Sequence, residues 1–321
     1  MIIVPEREIA SLVTPADCFS AVENVFAAMA RRSASNFPVV REALGHADAI
    51  YGFKSGFDRE SLALGLKSGG FWPGNASRGL TNHQSTIFLF DADTGQCRAM
   101  VGGNLLTALR TAAAAAISTK YLARQDAEVL GMIGAGHQSA FQLRAALGQR
   151  PFKRIVGWNR RPEMLSRLAD VATEHGLPFE AVDLDRLGAE ADVIITITSS
   201  FAPILKASQV KPGTHLACMG TDTKGKQEVE AELVAAATVF TDEVAQCVSI
   251  GESQHAVAQE LVRPTSIVEI GRVVAGLHPG RTSGEEVTLF DGTGVGLQDL
   301  AVASAVVNLA VAKCVAVQIE I

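Results

Sequence analysis

The sequence predicts an α/β protein built on a doubly wound parallel sheet, with a second, discontinuous α+β domain. Three observations carry that expectation. The stretch GMIGAGHQSAF at 131–141 reads as strand, glycine turn and helix start; strands alternate with helices from 127 onward; and short apolar runs broken by Gly, Pro and Asn fill 37–103. The pattern assigns 1–118 and 297–321 to the α+β domain and 119–296 to the parallel-sheet domain.

Taken in order, Thr14-Pro15 signals a helix start. Cys18, Val22, Val25, Phe26 and Met29 then recur at three- and four-residue intervals, which predicts one amphipathic helix over 14–32. The runs AIYGFKSG, LALGLKSGG, STIFLFDADTG and CRAMVGG read as strands of a mixed or antiparallel sheet, with 91–95 as a hairpin turn. Residues 105–122 are Ala-rich and helical. Beyond them AEVLGMIG leads to a helix over 137–149, RIVGWN to one over 162–175, and FEAVDL to a short one near 184–190. DVIITITS leads to a proline-containing turn and THLACMG to a helix over 230–237, and TVFTDE closes the series. The runs 193–197 and 215–219 are apolar along most of their length, as strands covered on both faces should be. A last helix at 298–314 follows the strand-like VTLFD and returns to the first domain.

Composition narrows the classes of function. With 321 residues and 48% hydrophobic content the chain is long enough to bury a core in each of two domains. A net charge of −6 and the lack of a basic block argue against a nucleic-acid partner. The most apolar run, at 301–319, is interrupted by Asn308 and Lys313, and the N-terminal apolar stretch contains Glu6, Arg7 and Glu8. Neither reads as a membrane span or a signal peptide. The five cysteines are scattered without a C-x-x-C pair, which points to reduced thiols in a cytoplasm and to no metal site.

The glycine stretch is the first candidate site. Gly134 makes the tight turn of a Rossmann-type unit, and Gly136 lets a dinucleotide pyrophosphate approach the amides at the helix N-terminus; Ser139 stands where Gly or Ala is usual. Ala135, His137 and Gln138 complete that loop as expected cofactor contacts, joined from later strand ends by Thr198, Ser199, Met219 and Thr293. At the end of the second strand, roughly 20 residues past the glycines, an NAD site usually carries Asp or Glu. Here Asn159 is followed by Arg160 and Arg161, local chemistry that favours a 2′-phosphate and so NADP; two solvated arginines before Pro162 account for the same residues.

The first domain supplies cations in apolar surroundings: Arg41, Lys54, Lys67 and Arg110. Charged groups so placed need partners, and a substrate carboxylate is one; surface ion pairs are the other. His83 is placed to donate a hydrogen bond to substrate or simply to cap a strand. Asp222, after the fifth parallel strand, either orients or protonates an amine, as a catalytic residue, or forms an Asx turn, and Asp299 is equally a helix-start charge or a ligand.

Together these residues resemble the ornithine cyclodeaminase/μ-crystallin family, over nearly the whole chain. The matching motifs are Lys67, Pro73 and Asn75 in K-x-x-x-x-x-P-x-N, LTALRTAA at 106–113, GAGHQ at 134–138, Asp222, Gly225, Lys226 and Glu228 in D-x-x-G-K-x-E, and FDGTGVGLQD at 290–299. The resemblance implies that Arg41, Lys67 and Arg110 hold a substrate carboxylate, with Lys67 also near the reacting imine and Asp222 facing the substrate nitrogen. It implies a homodimer formed through the first-domain sheet. His83-Gln84 looks like the reductase branch, and NFPVVRE, GFKSGF, GLTNHQSTIFLFD and CMGTDTKGKQEV are similar to the reductases that make aspartate from iminosuccinate. The expected activity is hydride transfer from NAD(P)H to a small α-imino acid, with NAD preferred on the whole-chain likeness and NADP as the alternative. Lys54, His83 and Lys224 are the candidates for a second substrate carboxylate. An ornithine or lysine cyclodeaminase, a cyclic ketimine reductase and a non-catalytic NADPH-dependent binding protein are the other activities the family admits.

Overall fold

The computed structural model describes residues 1–320. The chain divides into two compact units, Met1–Arg110 together with the chain from Val295 onward, and Thr111–Gly294.

The first unit opens with β1 (Ile2–Val4), α1 (Glu6–Leu12) and α2 (Pro15–Ala30). The α2 start is a reciprocal cap: Thr14 Oγ1 accepts from Asp17 N at 3.2 Å and Asp17 Oδ2 accepts from Thr14 N at 2.9 Å, with Pro15 as the first helical residue. Its buried stripe is Cys18, Val22, Val25 and Phe26, four of the five positions that the periodicity selects. Then come β2 (Ala34–Asn36), β3 (Val40–Ala43), β4 (Ile50–Asp58), β5 (Ala63–Phe71), β6 (His83–Phe90) and β7 (Cys97–Gly102). β4 to β7 run as an antiparallel meander, and β1 joins β7 in parallel, so the sheet is mixed. The β6–β7 turn is set by Asp91, whose Oδ1 accepts from the amides of Asp93 and Thr94. In the β4–β5 register Lys54 lies opposite Lys67, so the two share a face of the sheet. The chain leaves through α3 (Asn104–Leu122).

The second unit contains β8 (Val129–Ile133), α4 (Ser139–Leu147), β9 (Arg154–Trp158), α5 (Ser166–Glu174), β10 (Phe179–Ala181), α6 (Leu184–Glu190) and β11 (Val193–Thr196). It continues with β12 (Phe201–Leu205), β13 (His215–Cys218), β14 (Gln227–Val229), α7 (Ala231–Ala236), β15 (Thr238–Thr241), α8 (Val244–Ile250), α9 (Gln254–Ala258), β16 (Val268–Glu269), α10 (Ile270–Val274) and β17 (Thr288–Asp291). The main sheet has the order β10-β9-β8-β11-β13-β17-β15-β16 and every neighbour is parallel; β12 and β14 pair separately. Strands are added on one side of β8 and then on the other, so the order reverses there. The carboxyl end of β8 is therefore the switch point at which such sheets bind ligands. The fold class is the one the sequence predicts, but TVFTDE does not close the series. VTLFD becomes β17 and inserts between β13 and β15, because Leu289 and Phe290, both fully buried, are apolar on both faces and suit an interior slot.

The chain then returns to the first unit as α11 (Gly296–Ala312) and β18 (Val317–Gln318), the latter pairing with β1. α11 packs against α2 and across β4, β5 and β6. Its approach to β4 is close enough that a Cβ on Gly296 would lie 2.7 Å from the Ser55 amide nitrogen, so only glycine fits. Among the described residues no helix is long and apolar enough to cross a membrane.

Candidate active site

In the first unit, β5, α3 and α11 converge on a buried ion cluster. Lys67 Nζ lies 2.8 Å from Asp299 Oδ2, and Arg110 Nε lies 3.0 Å from Asp299 Oδ1. Arg110 Nη1 also donates to Gln298 Oε1 at 3.1 Å. Asp299 is fully buried and both cations nearly so. It stands in the first turn of α11, where the helix dipole adds to the attraction for a carboxylate. Burial pushes the Lys67 ammonium down to about 7, the Arg110 charge adds to that, and Asp299 opposes it. For Asp299, burial works to raise the carboxyl, but Arg110 and Lys67 outweigh it and hold the group below the usual range.

Lys54, across the strand pair from Lys67, is a third buried cation on the same face. Arg41 is half-buried on β3, with Gly52 opposite it. His83 opens β6, where its Nε2 meets Ser85 Oγ at 3.2 Å. Ser85 Oγ lies 3.4 Å from Thr107 Oγ1, and Lys67 Nζ donates to that hydroxyl at 3.4 Å.

In the second unit the glycine turn follows β8. Gly134 has φ +106°, and a Cβ there would sit 2.6 Å from the Ile197 carbonyl oxygen, so both the turn and the close packing require glycine. At Gly136 nothing lies within 4 Å of where a Cβ would be, which leaves the open space at the start of α4 that a phosphate needs. The departure at Ser139 is accommodated locally: its hydroxyl donates to the Gly136 carbonyl at 2.8 Å and the residue is fully buried. Gln138 Oε1 is buried without a protein partner. His137 is exposed and packs its ring against Phe141. Asn159 acts on the turn itself. Its Oδ1 accepts from the Ala135 amide at 3.3 Å and its Nδ2 donates to the Arg161 carbonyl at 2.7 Å, while the Arg160 and Arg161 side chains are exposed.

The later strand ends are tied together by Glu228. Its carboxylate accepts from Thr196 Oγ1 at 2.6 Å, the Thr198 amide at 2.6 Å and the Gly220 amide at 2.9 Å. Glu252 in turn accepts from the amides of Glu228 and Val229 and from the Thr221 hydroxyl. Burial pushes both carboxyls up, Glu252 to about 8 with the Glu228 charge adding to the effect. Thr198 is half-buried and Ser199 exposed at the end of β11, while Met219 is buried beside Gly292. Thr293 donates through Oγ1 to Asp242 Oδ1 at 2.6 Å. Asp222 is ion-paired with Lys226, Nζ to Oδ1 at 2.8 Å. The open glycine turn, the orphaned Gln138 oxygen and the switch point fit a dinucleotide.

Sequence reasoning missed several of these parts. Asp299 is legible in the sequence as a helix-start charge or a ligand, but not as the counter-charge of Lys67 and Arg110, although cations in apolar surroundings demand one. Gln298, Ser85 and Thr107 lie inside the matched motifs but are not singled out there. Glu228 entered only as a motif letter, and Asp242 not at all.

A glycine turn at the switch point of a doubly wound parallel sheet in one unit, and a cluster of buried cations around Asp299 in the other, place the chain among α/β proteins with a Rossmann-type sheet and a second, mixed-sheet unit. Residues 3–313 match the ornithine cyclodeaminase/mu-crystallin family, and the chain belongs to that family. It is 67% identical over 321 residues to the iminosuccinate reductase of Paracoccus denitrificans, with 100% of each chain covered. The crystal structure of that reductase in complex with NAD+ has a TM-score of 0.96 to this chain, covering 100% of it and 99% of the other. An archaeal alanine dehydrogenase dimer with bound NAD, 31% identical, has a TM-score of 0.94 over 100% of this chain and 99% of that one.

Proposed function

We propose that the protein is an NADH-dependent imine reductase that converts iminosuccinate to L-aspartate. The observation that carries the reading is the 67% identity to an iminosuccinate reductase over the full length of both chains. The chemistry of the first unit supports it: Lys54, Lys67 and Arg110 are buried cations suited to a substrate with two carboxylates. When bound, the reduced nicotinamide supplies the hydride that adds to the imine carbon. Gly134, Ala135, Gly136, His137 and Gln138 would hold the pyrophosphate of the dinucleotide, with Asn159 fixing the turn and Thr198, Ser199, Met219 and Thr293 at the strand ends beside it. Arg110, oriented by Asp299 and Gln298, grips the substrate carboxylate with Arg41. Lys67 gives a proton to the imine nitrogen, and an ammonium brought down to about 7 is acidic enough to do so near neutral pH. Asp222 orients the substrate nitrogen.

Five free cysteines suit a reducing compartment, the cytoplasm. A homodimer is supported by Val40, Tyr51 and Phe53, exposed apolar side chains on one face of β3 and β4 that a second copy would cover.

The test is an assay of reduced nicotinamide absorbance with iminosuccinate formed from oxaloacetate and ammonia. One NADH consumed per aspartate formed is the expected result, with NADPH the poorer donor. Ammonia release from ornithine or lysine without net cofactor change would identify a cyclodeaminase instead. Tight ligand binding with no oxidation of either cofactor would identify a binding protein.

A further inference from the structure

Lys67 is sealed in, with a relative exposure of 6%, so once it has given up a proton it needs a route for another. The hydroxyls described above provide one. His83 and Ser85 are two residues apart on β6, and the β5–β6 register pairs Phe71 with His83 and Lys67 with Ile87, so His83, Ser85 and Lys67 lie on one face of the sheet. Thr107 reaches in from α3 to close the gap. The contacts run His83 Nε2 to Ser85 Oγ at 3.2 Å, Ser85 Oγ to Thr107 Oγ1 at 3.4 Å, and Thr107 Oγ1 to Lys67 Nζ at 3.4 Å. Burial falls outward along them: Thr107 is 4% exposed, whereas Ser85 and His83 are half-buried. Ser85 is held in place by its amide, which donates to Asn104 Oδ1 at 2.8 Å.

We propose that His83, Ser85 and Thr107 form a proton relay that reloads Lys67 from solvent after each turnover. The inference rests on the imine-reductase reading and adds three positioning residues to it. After catalysis the Lys67 N–H bond has broken and the substrate N–H bond has formed, which leaves a neutral amine. His83 takes a proton from water to become an imidazolium. Its Nε2–H proton passes to Ser85 Oγ as the Ser85 proton passes to Thr107 Oγ1 and the Thr107 proton to Lys67 Nζ. His83 ends neutral, both hydroxyls are restored, and one solvent proton has entered. Thr107 and Ser85 suit the task because each hydroxyl both donates and accepts. The charged groups around Lys67 are Lys54 on β4, Arg110 on α3 and Asp299 on α11. Burial, with Arg110 and Lys54 adding to it and Asp299 opposing, brings the ammonium down to about 7, so near neutrality a spent Lys67 does not stay charged by default and reloading is a step that matters.

The experiment is stopped-flow NADH oxidation with excess iminosuccinate, the enzyme first equilibrated below pH 7 so that Lys67 starts protonated. Thr107→Val and Ser85→Ala should each keep the rate of the first turnover within about twofold while lowering the steady-state rate at least about tenfold, with a burst of one equivalent. Thr107→Ser, which keeps the hydroxyl, should restore steady turnover. First-turnover and steady-state rates falling together in both variants would show a structural role and overturn the relay, as would steady turnover unchanged in both. Wild-type enzyme that oxidises no NADH with iminosuccinate would instead overturn the imine-reductase reading and the relay with it.

Discussion

Lys67→Met is expected to lower kcat for imine reduction by about 10²–10⁴-fold while NADH binding, measured by fluorescence titration, stays within about twofold. Methionine is close to lysine in length and keeps the packing on β5, so the loss isolates the ammonium. The pH profile separates a proton donor from a mere charge. Burial brings the wild-type ammonium down to about 7, so the proton-bearing form is complete below that pH and disappears as pH rises through it. Wild-type kcat should therefore fall on the alkaline side of about 7. Lys67→Arg keeps the positive charge at every accessible pH but gives up no proton. It should retain part of the substrate affinity, lose kcat to nearly the extent of the methionine variant, and show no descending limb near neutrality. Full imine reduction by Lys67→Met would remove Lys67 from the chemistry.

The parts of this site differ in how far the sequence reveals them, and the reason is the range of the interaction. The glycine turn is local: a positive φ at Gly134 and an open helix start at Gly136 act within a few residues of β8, so GAGHQ can be read directly. The α2 cap and its buried stripe are legible for the same reason. Strand order is not local. β17 enters between β13 and β15 through packing among residues some fifty or more apart in the chain, and apolar character shows only that VTLFD is buried, not where. The segment over 244–274 holds helices of five and seven residues, too short to develop a periodicity, and it escaped sequence reading altogether. The ion cluster lies between these cases. Lys67 and Arg110 stand out as cations in apolar runs, but Asp299 reaches Arg110 from 189 residues away and looks like any acid in a first helical turn.

Asp299→Ala is expected to destabilise the first unit by about 3–5 kcal/mol, seen as a lower melting temperature, because it leaves two buried cations facing each other without their carboxylate. Asp299→Asn should cost less, since an amide oxygen still accepts from Arg110 Nε while the charge is gone. The acid limb gives an independent check. Arg110 and Lys67 hold the folded-state carboxyl below its ordinary value against the opposing effect of burial. Its contribution is thus complete above the unfolded value of about 3.9 and is lost as pH falls through the lower, folded one. The stability gap between wild type and Asp299→Ala should be widest at neutral pH and narrow in strong acid; a gap that persists unchanged into acid would refute the charge argument. The variant also moves Lys67. Burial and Arg110 still push the ammonium down, and the carboxylate that opposed them is gone, so whatever activity survives in Asp299→Asn should fall off at a lower pH than in the wild type. A limb displaced to higher pH would mean that Asp299 does not act on the proton of Lys67.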